Sequence, residues 1–290
     1  MARTVFLGTS DFAAAVLARL AGGPHRPQLV VTRPDRAAGR GRRLSAPPVA
    51  DAARALGLEL AQPEKVNEQD AYAQIAAARP DAVIVCAFGA LIREPLLSDF
   101  EILNVHPSLL PRWRGAAPVE RAMMAGDTQT GVCIIRLTAG LDSGPVFLQA
   151  TEPLAPDDTY GTLAPRLQQL GSDLLLRTLD ERPQPVEQPE DGVTYADKIT
   201  AADRTLDPGV PAAVNDRVVR ALYPHIGARV ELPDGTFLGV LRAALRSPGE
   251  AGELRADGEH LLLGGLELLE IQPAGGRAMA AAAYLRGRSL

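Results

Sequence analysis

Three side chains in this sequence are spaced as chemistry would need them. Asn104 and His106 alternate within "EILNVHP", which reads as the end of a buried strand, so both point to the same face. Asp142 lies in "LTAGLDSGPV", residues 137 to 146, where glycines flank it in a loop between two strand-like runs. An amide N–H can stabilise a developing oxyanion, an imidazole can move a proton, and a carboxylate can orient that imidazole and favour its charged form. Together these are the groups that acyl transfer to an amine requires. No Ser or Cys sits in a nucleophile-elbow pattern, so a covalent route is not suggested. Spacing alone leaves the plainer reading open, in which Asn-X-His is a hydrogen-bonded loop and Asp beside Gly a turn.

The surroundings of the pair are unusual. "NVHPSLLPRWRGAAP", residues 104 to 118, gathers one of the four histidines, the only tryptophan, two arginines and three prolines into fifteen positions. Proline fixes φ, so this backbone has little freedom left to lose where an oxyanion site must be preorganised. Trp113, between Arg112 and Arg114, reads as an aromatic pinned at a loop corner by a cation–π contact.

The elements that must hold these residues follow from the pattern upstream. "TVFLG", "DFAAAVLARLA", "QLVVT", "PVADAARALGL", "AYAQIAAARP" and "DAVIVCAFG" alternate short apolar runs with helical periodicity. Such alternation predicts an α/β fold, a Rossmann-like, mostly parallel sheet with helices on both faces. Ligands of such sheets sit at the carboxyl ends of the strands, where "GTSDF", "CAFGAL" and "NVHP" all fall. "GTS" at 8 to 10 opens a helix and offers two readings, a bare strand-to-helix turn or an anion site on free N–H groups. It lacks the GxGxxG pattern and the P-loop lysine, so neither a dinucleotide nor a nucleoside triphosphate is supported.

The second half changes character. After the helical "YGTLAPRLQQLGSDLLLRTLDE" comes the proline-rich, polar "RPQPVEQPEDG", which reads as a linker. Beyond it "ARVEL", "TFLGVLRAAL", "GELRA", "HLLLGG" and "LELLEIQP" are short runs broken by turn signals, the pattern of a small C-terminal β-barrel, OB-like in scale. The domains expected are therefore 1–185, a linker over 186–204, and 205–290.

Bulk properties narrow the classes. The 290 residues suffice for two domains, and a net charge of -5 argues against a surface that coats nucleic acid or an acidic membrane as a whole. "RPDRAAGRGRR" is the exception, with five arginines against one aspartate, and lacking periodicity it reads as a mobile basic loop. Cys86 and Cys133 lie in apolar runs without metal-like spacing, so they read as core and no metal is expected. The N-terminus is no signal peptide and no stretch approaches ~20 apolar residues, so a cytoplasmic chain without a membrane partner is expected.

"NVHPSLLPRWRGAAP" followed by "GLDSG" resembles the active-site signature of the folate-dependent formyltransferases, and the "RWRGAAP" continuation is similar to that of members acting on aminoacylated tRNA. "FLGTSDFAA", "RPDRAAGRGRRLSAPPV", "TYADKIT" and "LLEIQPAGGRAM" agree with it in the right order, so the likeness runs from end to end. The resemblance implies an enzyme that moves a formyl group from 10-formyltetrahydrofolate to the amino group of methionine on initiator Met-tRNA. It implies catalytic roles for Asn104, His106 and Asp142. It places the folate donor along Ser108, Leu109, Leu110 and Pro111, beside Phe88, Gly89 and Leu91. It assigns tRNA contacts to Arg40, Arg42 and Arg43, and the chain is taken to act as a monomer. The same trio would serve a relative whose acceptor is a sugar nucleotide, glycinamide ribonucleotide or water; a folate- or RNA-binding protein without turnover is the reading from another class. One departure from the family is charge. From Thr205 onward nine arginines face ten acidic residues, where a positive barrel would be expected.

Overall fold

The computed structural model describes residues 1–38 and 43–286. Two compact units divide the chain: Met1–Pro118 with Thr130–Pro153 and Ala164–Ala196, and Val119–Gln129 with Leu154–Leu163 and Asp197–Leu290.

The first unit is built on a seven-stranded sheet. In spatial order its strands are Val146–Pro153, Gln129–Arg136, Ile102–His106, Ala82–Cys86, Thr4–Gly8, Pro27–Val31 and Leu60–Ala61. Five of them, from Ile102–His106 to Leu60–Ala61, run parallel. Gln129–Arg136 adds antiparallel to Ile102–His106, setting Asn104 opposite Ile135 and His106 opposite Cys133. The three central strands, Thr4–Gly8, Ala82–Cys86 and Ile102–His106, are buried at every position. That is why they read as continuous apolar runs rather than alternating ones. Because these three are parallel neighbours, Gly8, Cys86 and His106 end at one rim, and the loops after them converge there.

The turn after the first strand is a cap. The Ser10 hydroxyl accepts from the Ala13 N–H at the start of helix Asp11–Ala21, and Thr9 Oγ1 donates to the Phe88 carbonyl at 2.8 Å. "GTS" thus braces the neighbouring loop, and one of the N–H groups an anion would use is already satisfied. Gly8 is required there, since a Cβ would lie 2.8 Å from the Ala13 Cβ and 3.0 Å from the Cys86 carbonyl oxygen.

Two segments read as irregular are strands. Arg36–Ala38 pairs antiparallel with Arg43–Ser45, so the flanks of the arginine-rich stretch form a hairpin. The sequence hid this because a strand only three residues long shows no alternation. Tyr195–Ala196, inside the proline-rich linker, pairs parallel with Arg114–Gly115.

The second unit carries a six-stranded, curled half-barrel, with Ala228–Glu231, Phe237–Leu245, Leu266–Gln272, His260–Leu263 and Leu254–Asp257 in order and Met279–Ala280 on the Leu266–Gln272 strand. All the pairings between them are antiparallel. One face buries Val230, Leu238, Val240, Leu261, Leu263, Leu268 and Ile271. Helix Ala212–Leu222, which the sequence reading passed over, adds Ala212 and Val219 to that core.

Candidate functional site

Asn104 and His106 occupy a strand where an aliphatic side chain would contribute about 1.5–3 kcal/mol of burial each. Both are buried nonetheless, His106 to 3% exposure. Polar groups in such a place need partners, since a buried donor or acceptor left unsatisfied costs roughly 1–3 kcal/mol.

Asp142 supplies them. Its loop leaves the sheet at Arg136, opposite Leu103, yet it returns so that Asn104 Nδ2 donates to Asp142 Oδ1 at 3.1 Å. The Gly115 N–H donates to Asp142 Oδ2 at 2.9 Å. His106 Nδ1 stands 3.6 Å from the same oxygen, facing it without a hydrogen bond. The other ring nitrogen, Nε2, lies 2.9 Å from the Trp113 carbonyl oxygen. A carbonyl can only accept, so Nε2 carries a hydrogen and the ring cannot rotate freely.

Two residues that hold this arrangement are left-handed without being glycine. Trp113 has φ 66° and Asp142 has φ 43°. Such conformations cost on the order of 1–3 kcal/mol each and persist where surrounding contacts fix them. Arg112 lies over the Trp113 ring, 4.4 Å from its centroid, so the loop-corner role read from sequence has its contact. Gly115, at φ 126°, must be glycine: a Cβ would come within 2.8 Å of the Ala196 carbonyl oxygen.

The floor beside the pair is apolar. Leu110, Cys133, Ile135 and Val146 pack together, and Cys133 and Ile135 share a face with Asn104 and His106 as their cross-strand partners. The Leu110 N–H donates to Cys133 Sγ at 3.4 Å, and burial pushes the Cys133 thiol up to about 11, so it serves as packing. Ser108 is fully buried, and its hydroxyl donates to the Arg112 carbonyl at 2.7 Å, bracing the loop from within. Leu109 packs on Gly131. At the end of the neighbouring strand Phe88 is buried in the sheet's core, whereas Gly89 and Leu91 are exposed, Leu91 to 66%. Ala87 and Gly89 are both left-handed, which turns the backbone sharply at the rim.

Of the residues read from sequence, Asn104, His106 and Asp142 are brought together. Arg40 and Arg42 lie outside the described residues, and of Arg43 only the backbone, in its hairpin strand, is described. Sequence reasoning missed Gly115 and the Trp113 carbonyl, because they act through main-chain atoms that no side-chain type betrays. Among the described residues, no three His, Cys, Asp or Glu side chains gather as a metal site would need, and no helix is long and apolar enough to cross a membrane.

A parallel-rich sheet that presents a buried Asn and His at one strand end, with an Asp brought to them by a loop, is the frame of a formyl group transferase. Residues 2–179 match the family described as formyl transferase, and the chain belongs to that family. The methionyl-tRNA formyltransferase of Halorhodospira halophila is 46% identical over all of this chain and 97% of its own length. The enzyme of the same name from Paracoccus denitrificans is 42% identical over 99% of this chain and 98% of its own. Among solved structures, methionyl-tRNA formyltransferase from Clostridium thermocellum superposes with a TM-score of 0.63 at 12% identity, covering 93% of this chain and 99% of that one. HypX from Aquifex aeolicus in complex with tetrahydrofolic acid gives 0.67 at 18% identity; this chain matches over 98% of its own length and spans 47% of HypX. At these identities the structures speak for the fold alone.

Proposed function

We infer that this protein transfers a formyl group from 10-formyltetrahydrofolate to the amino group of methionine on initiator Met-tRNA, in the cytoplasm and as a monomer, supporting the start of translation. The observation that carries the reading is the convergence of Asn104, His106 and Asp142 in a chain that matches methionyl-tRNA formyltransferases along its whole length.

The residues fit the donor. A pterin needs backbone donors and acceptors beside an apolar slot, and the rim offers the 87–91 backbone, exposed at every residue but Phe88, together with the Leu110, Cys133, Ile135 and Val146 floor. Leu109, Leu110 and Pro111 would line the donor's bed with Phe88, Gly89 and Leu91, while Ser108 would act by holding that loop. The folate supplies the formyl carbon. In the transfer a C–N bond forms to the methionine amine, the bond to the donor nitrogen breaks, and one proton passes from the incoming to the leaving nitrogen. Asn104 has a second amide hydrogen to give to the oxygen on which charge develops, its first being held by Asp142. His106, held by the Trp113 carbonyl and facing Asp142, adds electrostatic stabilisation at the same place. Asp142 orients both.

For the RNA we assign contacts to Arg40, Arg42 and Arg43, where guanidinium forks suit phosphates and base edges. Residues 1–185 would then carry catalysis and 205–290 RNA binding, joined by 186–204. Several arginines of the second unit are engaged internally: Arg220 with Asp216, Arg246 with Glu267, Arg255 with Asp257, and Arg229 over the Phe237 ring. This supports a larger share of RNA affinity resting on Arg40, Arg42 and Arg43 than on the half-barrel.

The test is to incubate the protein with 10-formyltetrahydrofolate and Met-tRNA and to measure N-formylmethionine on the tRNA. Transfer to a small amine acceptor in its place would sink the reading. Replacing Arg40, Arg42 and Arg43 together with Ala should raise the KM for tRNA and flatten its dependence on salt, and an unchanged slope would remove these arginines from RNA binding.

A further inference from the structure

The proline-rich segment that reads as a linker is tied at four points to the two loops that hold His106 and Asp142. Val146 and Val186 exchange two backbone hydrogen bonds of 2.8 Å. The Gln188 side chain lies between the two loops: its Nε2 donates to the carbonyls of both Asp142 and Gly144 at 2.8 Å, and its Oε1 accepts from Arg114 Nε at 3.0 Å and Nη2 at 2.8 Å. Thr194 Oγ1 accepts from the Trp113 N–H at 2.9 Å, and the Thr194 carbonyl accepts from Arg114. The Ala196 carbonyl accepts from Ala116 and Ala117.

The pattern of these bonds is not that of a passive connector. Asp142 and Trp113, the residues that flank His106, are both left-handed without being glycine. One side chain of this segment bonds the main chain of each: Gln188 the carbonyl of Asp142, Thr194 the N–H of Trp113. Both residues reach His106, Asp142 through its carboxylate and Trp113 through its carbonyl. A conformation costly in isolation needs such fixing, and a displacement of about 1 Å at reacting groups can cost ~100-fold in rate.

We propose that residues 186–196 form a strap that sets the geometry of the trio, with Gln188 and Thr194 as positioning residues that act through Asp142 and Trp113. The proposal rests on the catalytic reading of Asn104, His106 and Asp142 given above. Gln188 carries it most sharply, because its two ends do separable work. The amide nitrogen holds the Asp142 loop; the amide oxygen holds Arg114.

The experiment measures kcat and both KM values by formylation of Met-tRNA with the full-length protein, alongside thermal unfolding. Gln188→Ala should lower kcat by ~10-fold with both KM values and the unfolding temperature little changed. Gln188→Glu keeps the acceptor for Arg114 and loses both donations, so it should be at least as slow; recovery of wild-type kcat in it would overturn the proposal. Thr194→Val should also lower kcat, and Thr194→Ser, which keeps the acceptor oxygen, should restore it; equal rates in the two would remove Thr194. The decisive measurement is a double-mutant cycle. In an Asp142→Ala background Gln188→Ala should cause no further loss, whereas an additive ~10-fold loss would show that Gln188 does not act through Asp142. If Asp142→Ala alone turns over at a near-normal rate, the catalytic reading fails first, and the strap falls with it for that separate reason.

Discussion

Each unit buries an asparagine and holds an aspartate in a web of hydrogen bonds, and the two pairs are used differently. Asn215, in the second unit, spends both ends of its amide on one residue: its Oδ1 accepts from the Asp207 N–H at 3.0 Å and its Nδ2 donates to the Asp207 carbonyl at 2.8 Å. Asp203, in the same unit, is closed in the same way, taking the Arg121 guanidinium at 2.7 Å and both the N–H and hydroxyl of Thr200. In the first unit Asn104 gives one amide hydrogen to Asp142, whose carboxylate is shared between Asn104, Gly115 and the facing His106. The comparison separates a lock, whose polar valences are spent on fixed partners, from a site, whose groups come from a strand end and two segments that meet it and keep a donor to spend.

The comparison can be broken most forcefully at the site. Asn104→Ala, His106→Ala and Asp142→Ala should each cut turnover by more than ~100-fold, with thermal unfolding little changed. A near-normal rate in any of them removes that residue from the mechanism. Asn215→Ala should do the reverse, destabilising the protein by about 1–3 kcal/mol while the folded enzyme keeps its specific activity. Urea unfolding and initial rates on the same samples decide this, and a loss of rate without a loss of stability would erase the distinction.

Asp203 sharpens the comparison through pH. The hydrogen bond from the Arg121 side chain, first among the causes, holds the carboxyl below its ordinary 3.8. A lowered value in the folded state stabilises the protein above the unfolded value, and that contribution is lost as pH falls through the folded one. The unfolding temperature of Asp203→Asn should therefore lie below that of wild type near neutrality, and the gap should close as pH drops below 3.8. A gap that widened toward acid would contradict the assignment.

The smallest effect is expected at the cysteines. Burial raises both thiols, Cys133 to about 11, and the thiolate is the reactive form. Native protein at about pH 8 should resist alkylation at both, and mass spectrometry after iodoacetamide would show it.

Much of this was legible in the chain. The central strands announced themselves because burial on both faces demands unbroken apolar runs, and "EILNVHP" stood out because Asn and His interrupt one. The short strands Arg36–Ala38 and Tyr195–Ala196 were not legible, since two or three residues cannot display a period. Gln188 was hidden for another reason: in "PVEQPEDG" it is one polar residue among prolines and acids, and its composition reads as linker whatever its side chain touches.

The sequence by itself determined the fold class, the family and which three side chains to look for, because hydrophobic periodicity and residue chemistry are local properties. Only the tertiary structure decided that Asp142 reaches Asn104 from a loop that leaves the sheet at its opposite end, that a tryptophan carbonyl and a glycine N–H complete the site, and that residues 186–196 strap it. Main-chain donors and acceptors are the same for nearly every residue, so their use is set by where the backbone comes to rest.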